Sequence, residues 1–123
     1  MKYLLIIYGN KEKWDSFSAE DAAEAIERHE AFSRRYFQTG ELLGAYGLED
    51  AARAKVVLAK SGQPAVTDGP YLEAKEYMAS FWLVDVESEQ RAVEIAADMP
   101  YAQVQPVEVW PVPHESKRES PAV

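Results

Sequence analysis

Short continuous apolar runs and longer stretches with a helical apolar period divide this chain. Residues 2 to 8 form a short β-rich run closed by the turn pair Gly9-Asn10, which predicts a first strand. Its apolar residues fall on both alternating faces, Tyr3, Leu5 and Ile7 on one and Leu4, Ile6 and Tyr8 on the other, so both faces are expected to be covered. A loop through Trp14 and Phe17 follows. Ser18 then reads as an N-cap with Asp21 three residues on, opening a helix from about Ala19 to Thr39 that Gly40 ends. At 100° per residue, Ala22, Ala25, Ile26, Phe32, Tyr36 and Phe37 form one stripe, with His29 near its middle and Ser33 beside it at i+4. Glu20, Glu24, Glu27, Arg28, Arg34 and Arg35 face the other way.

The second half repeats the order with an insertion. Glu41 to Leu48 predicts a second strand, weakened by Gly44 and Gly47, and Lys55 to Lys60 a third. Ser61-Gly62 turns the chain into a short return strand over Ala65-Val66-Thr67, and Asp68-Gly69-Pro70 is a strong turn. Tyr77 to Val86 is the clearest strand, again apolar on both faces. Ser88 caps a second helix with Ala92, Ile95, Ala96 and Met99 at i, i+3, i+4 and i+7, and Pro100 stops it. Val104 to Val112 reads as a final strand, an edge or bulged one because of Pro106 and Pro111. From Pro113 to Val123 the polar composition predicts a disordered tail.

The order β-α-β, hairpin, β-α-β predicts an α+β domain over residues 1–112 with a ferredoxin-like, antiparallel sheet and two helices on one face. Two helices cover one face, yet the first and fourth strands are apolar on both. The simplest cover for the second face is the same face of another copy, which predicts a homodimer.

Bulk properties narrow the function. The chain has 123 residues, the size of one domain. Its formal net charge is −8, with 21 acidic against 13 basic residues, so nucleic acid and anionic membrane surfaces are not expected partners. There is no cysteine, which excludes disulfides, zinc–thiolate sites and thiol nucleophiles. The first apolar run is too short for a signal peptide or a membrane span, so a cytoplasmic location is expected. No phosphate-binding loop, dinucleotide fingerprint, nucleophile elbow or metalloprotease helix motif is present, and no cofactor or metal is expected.

Several segments resemble the YCII-related family, in particular its DGPF-type members. They are Met1 to Gly9, His29-Glu30-Ala31-Phe32 leading into Gly40-Glu41-Leu42, and most specifically Val66-Thr67-Asp68-Gly69-Pro70-Tyr71 followed by Glu73-Ala74-Lys75-Glu76. Phe81 to Val86 and Val107 to Val112 fit as well. Tyr71 stands where the motif that names these proteins has Phe. The resemblance implies a dimeric α/β barrel of ferredoxin-like type and no assigned reaction. DGPF-type proteins are associated with extracytoplasmic-function sigma factors. For YciI-type relatives a helix His and an Asp have been suggested as an active-site pair. His29 matches that His, and Asp98 is the nearer match to the Asp, one residue out of spacing.

The candidate chemistry follows. His29 reads either as a general base near neutral pH or as a packed core histidine. Asp68 reads either as a carboxylate at a pocket mouth or as the Asx residue of its turn. With Asp98, these are the candidate catalytic residues; Ser33, Tyr71 and Lys75 are the candidate substrate contacts. The aromatics Tyr8, Trp14, Tyr36, Tyr46, Tyr77, Phe81 and Trp82 divide between core and cleft. Two functions are carried forward: a small-molecule-binding protein or cofactor-independent enzyme with a cleft between the first helix and the sheet, and a non-catalytic dimeric regulatory module tied to sigma-factor systems.

Overall fold

A computed structural model describes residues 1–9, 11–70 and 76–118. Among these residues, six strands and three helices follow one another as β1 (Lys2–Gly9), α1 (Lys11–Asp15), α2 (Ala19–Gln38), β2 (Leu42–Gly47), β3 (Lys55–Lys60), β4 (Gln63–Asp68), β5 (Tyr77–Asp85), α3 (Glu89–Ala97) and β6 (Glu108–Pro111). Short 3-10 turns occupy Ala51–Arg53 and Pro100–Gln103. Strands β2-β5-β1-β6 make one antiparallel sheet, and β3 and β4 make a separate hairpin. This is the α+β arrangement that the element order predicts. Among the described residues, no helix is long and apolar enough to cross a membrane.

The helix starts follow from local chemistry. The Ser18 hydroxyl accepts from the Asp21 amide at 3.0 Å, and that of Ser88 from the Arg91 amide at 3.1 Å. Each thereby satisfies one of the amides left open at a helix start. Gly40 adopts a φ of 81° just past α2, a conformation that glycine enters without steric cost.

The core lies between α2 and α3 and one face of the sheet. Tyr3, Leu5 and Ile7 of β1, Leu42 of β2 and Trp82 and Val84 of β5 meet Phe32 and Tyr36 of α2 and Ala92, Ile95, Ala96 and Met99 at the α3 end. The register pairs place Leu4 opposite Leu83 and Trp110, and Ile6 opposite Phe81 and Glu108, on the other face. There Ile6 is buried, but Tyr46 and Trp110 are 52% and 53% exposed. The Tyr46 ring packs on Phe81 at 5.1 Å between centroids. It lies over Gly44, where a Cβ would run into the Tyr46 hydroxyl.

Four details differ from the sequence pattern. Ile26 and Phe37 are 55% and 48% exposed. The buried stripe of α2 centres on Phe32, Ser33 and Tyr36, and both residues lie about 80° around the helix from it, at the margin of the apolar arc. Lys11–Asp15 forms a helical turn too brief for periodicity to register. The last strand shrinks to Glu108–Pro111 because the chain after Pro100 first takes a 3-10 turn. The return strand, by contrast, grows to Gln63–Asp68.

From Val112 to Arg118 the chain runs on without regular structure. The Val112 amide donates to the Lys2 carbonyl at 2.9 Å, and Lys2 Nζ reaches both Glu115 oxygens at 2.6 and 2.7 Å.

Candidate functional site

His29 sits in the middle of the buried stripe of α2 and faces two aromatic rings. Its ring lies against Tyr101 with 3.8 Å between centroids and a 31° tilt, and against Trp82 at 5.7 Å and 33°. Trp82 comes from the centre of β5 and is 5% exposed. Tyr101 comes from the 3-10 turn that Pro100 starts, and Met99, 1% exposed, anchors that turn in the core. The Ala102 amide bonds the Met99 carbonyl at 3.0 Å, and the Val104 amide that of Tyr101 at 3.0 Å.

Neither ring nitrogen of His29 has a hydrogen-bond partner among the described residues. Burial lowers the imidazole pKa to about 4, because a charged ring there would lose its water without a compensating acceptor. At neutral pH His29 is therefore an uncharged aromatic plate. Burial also raises the Tyr101 phenol above its ordinary value, so the stack is neutral as a whole.

Tyr101 forms part of a cleft of about 710 Å³ at one end of the sheet. The walls come from the end of β1 and from α1 (Gly9, Glu12, Trp14, Asp15), the segment after β2 (Leu48 to Ala52), Pro70, and the start of β5 (Tyr77 to Ser80). An irregularity in the β1–β5 pairing lies between Ile7 and Tyr8, and consecutive residues Met78, Ala79 and Ser80 all line the cleft. Gly9 permits that packing, since a Cβ there would meet the Ala79 Cβ at 2.8 Å. Trp14 packs edge to face on Phe17, at 5.7 Å and 81°. The cavity has the size of a small-molecule site, and its apolar walls alternate with carboxylates. Among the described residues no group of His, Asp and Glu is arranged to hold a metal.

The sequence candidates lie in three places. His29 stands behind Tyr101 and not in the cleft wall. Asp98 caps α3 and accepts from Arg35 Nη1 at 2.9 Å and from the Tyr36 hydroxyl at 2.8 Å. Tyr36 follows His29 by seven residues, about 10 Å along the helix. Asp68 pairs with Lys55 at the base of the hairpin, and Pro70 of the same turn lines the cleft. Ser33 is 7% exposed within the core face of α2. Tyr71 and Lys75 lie outside the described residues. The structure thus brings neither Asp68 nor Asp98 into a hydrogen bond with His29.

The aromatic set divides cleanly. Trp14 and Tyr77 line the cleft, Tyr36 and Trp82 belong to the core, and Tyr8, Tyr46 and Phe81 follow the open face by register. The sequence pattern does not single out Tyr101. The signal for it is the Pro100 that ends the helix and opens a tight turn, which fixes the residue after it.

A second polar cluster ties the helices to the sheet. Arg91 donates to both Glu41 oxygens, from Nε at 2.7 Å and Nη2 at 2.8 Å, and this pairing holds the Glu41 carboxyl below its ordinary range. The Arg35 and Arg91 guanidinium carbons lie 5.3 and 5.9 Å from the centre of the Tyr36 ring. Each cation has an acidic partner, so the cluster reads as a clamp between α2, α3 and β2.

Comparison with known proteins agrees with this architecture. An uncharacterized protein of Rhizobium meliloti (strain 1021), R00369, is 28% identical over 99 residues, covering 80% of each chain. The model of the YCII-related domain matches residues 1–114, nearly the whole described chain, and the chain accordingly belongs to the YCII-related family.

Proposed function

We propose that this protein binds a small, largely uncharged aromatic molecule in the cleft at the end of the sheet, with Tyr101 in its wall and His29 stacked behind that ring. The observation that carries the reading is the cavity of about 710 Å³ walled by Trp14, Tyr77 and Tyr101. Aromatic walls favour planar apolar ligands, and a rigid ring has few torsions to immobilise on binding. His29, with a pKa of about 4, supports the wall without adding charge. Proton transfer through a His–Asp pair is not part of this reading, because Asp98 is held by Arg35 and Tyr36 and Asp68 by Lys55. The absence of cysteine agrees with a reducing, cytoplasmic setting.

The test is a proton–nitrogen NMR titration with indole and phenol as probes. Shifts confined to Leu48, Ala79, Ser80, Tyr101 and the Trp14 indole, weakened about tenfold or more by Tyr101→Ala, are expected. Shifts scattered over the surface, or unchanged by Tyr101→Ala, would sink it.

The working unit in this reading is a homodimer. The supporting observation is the second sheet face, where exposed Tyr46 and Trp110 flank half-buried Leu4, Phe81 and Leu83. Such a band is unfavourable in water and self-complementary about a two-fold axis.

A further inference from the structure

Two hydroxyls in the cleft wall, those of Tyr101 and Ser80, have no hydrogen-bond partner among the described residues. Both stand beside Trp82. Ser80 precedes it by two residues in β5, and strand alternation puts the two on one face, about 7 Å apart. Tyr101 is joined to Trp82 through the His29 ring, at 3.8 and 5.7 Å between centroids. The His29 nitrogens also lack a partner, so the stacked imidazole does not take the phenol's hydrogen bond. Glu12, Asp15, Glu49 and Asp50 line the same cleft; an ionised carboxylate accepts hydrogen bonds and donates none.

Solvent satisfies both hydroxyls while the cleft is open. An apolar ring that fills the cleft strips that solvent away and leaves two O–H groups without an acceptor, which costs free energy at each. A ligand that brings its own acceptor avoids the cost. We propose that the ligand bears a neutral carbonyl oxygen beside its aromatic ring, and that this oxygen accepts from both the Tyr101 and the Ser80 hydroxyls; the inference rests on the cleft reading above. Three features select this group. A carbonyl oxygen has two lone pairs, one for each donor. It carries no net charge, whereas an anionic ligand would meet the cleft carboxylates as a like charge. The donor is also set in advance. Burial keeps the Tyr101 phenol protonated at neutral pH, and the His29 stack and the turn begun by Pro100 fix its ring.

The experiment is a proton–nitrogen NMR titration of the full chain with acetophenone and with α-methylstyrene, which has a methylene group in place of the carbonyl oxygen and nearly the same shape. Wild type is compared with Tyr101→Phe, which keeps the stacked ring, and with Ser80→Ala. Each variant is expected to weaken acetophenone about three- to tenfold and to leave α-methylstyrene bound equally well or better. If both probes shift the cleft amides but the variants weaken them equally, or change neither, the carbonyl contact is overturned and the cleft reading stands. Weakening of acetophenone by only one of the two variants overturns the shared oxygen. If neither probe shifts the cleft amides of the wild type, both readings fall.

Discussion

The His29 ring and the Tyr101 ring lie 3.8 Å apart between centroids, with no hydrogen bond to either imidazole nitrogen among the described residues. The contact joins α2 to the turn after α3, so the back of the cleft is as firm as that stack. Its weakness is acid. The folded pKa of His29, about 4, is below the roughly 6.5 of a solvated histidine. On acidification the unfolded chain therefore takes up this proton first. Stability from this residue is complete above about pH 6.5, falls as the pH drops toward 4, and changes no further below that.

For a partly exposed ring the loss across that window should be roughly 2 kcal/mol. His29→Phe keeps a ring against Tyr101 and Trp82 and removes the proton site. Urea titrations at several pH values should show wild type losing that much more stability than His29→Phe between pH 6.5 and 4, with the carboxylate contribution cancelling. A His29 signal, assigned apart from that of His114, that titrates near 6.5 in the folded protein would contradict the buried, unpaired ring.

Asp98 belongs to Tyr36 and Arg35 by geometry, not to His29. Asp98→Asn should therefore leave the His29 titration unmoved, as should Asp68→Asn. Tyr36→Phe removes one hydrogen bond to a carboxylate while its ring stays beside both arginines, and should cost about 1 kcal/mol in urea denaturation. A His29 titration that moves with Asp98→Asn would place the carboxylate within reach of the imidazole.

The fold was legible because its signals are local. Ser18 and Ser88 announce the helices, Gly40 and Pro100 end them, and the short, nearly continuous apolar runs of β1 and β5 mark the two central strands. The site was less legible because its parts meet only in three dimensions. His29 stands out as a polar residue on an apolar stripe, but its neighbours Trp82 and Tyr101 lie 53 and 72 residues away. Pairing it with Asp98 on family likeness ignores that Tyr36 and Arg35 sit two turns further along α2, where they meet that carboxylate first. Ile26 and Phe37 show the limit of a helical wheel. It finds the apolar arc, not where the sheet ends beneath it.

Tyr46 tests the open face. Its ring lies over Gly44 and against Phe81 and is 52% exposed, so Tyr46→Lys should change monomer stability little. Loss of a large aromatic anchor from an interface commonly costs at least about 2 kcal/mol, or roughly 30-fold in dissociation constant. Sedimentation equilibrium reads it directly; an unchanged constant would remove Tyr46 from the interface.

Gly9 and Ala79 provide the sharpest test of the cleft's construction. A Cβ on residue 9 would sit 2.8 Å from the Ala79 Cβ, closer than two methyl groups approach. Both atoms stand on paired strands, so neither can swing aside by changing rotamer. Gly9→Ala should therefore destabilise by about 1–3 kcal/mol, the usual range for overpacking. Because Ala79 lines the cleft, the strain should also displace the Ala79 and Ser80 amide signals and weaken indole binding. Ala79→Gly removes the opposing methyl. In the double variant the clash is gone, and the two changes should couple by at least about 1 kcal/mol in a double-mutant cycle. Additive effects would mean that the two strands are not in contact there, and the cleft would lose the wall on which its shape depends.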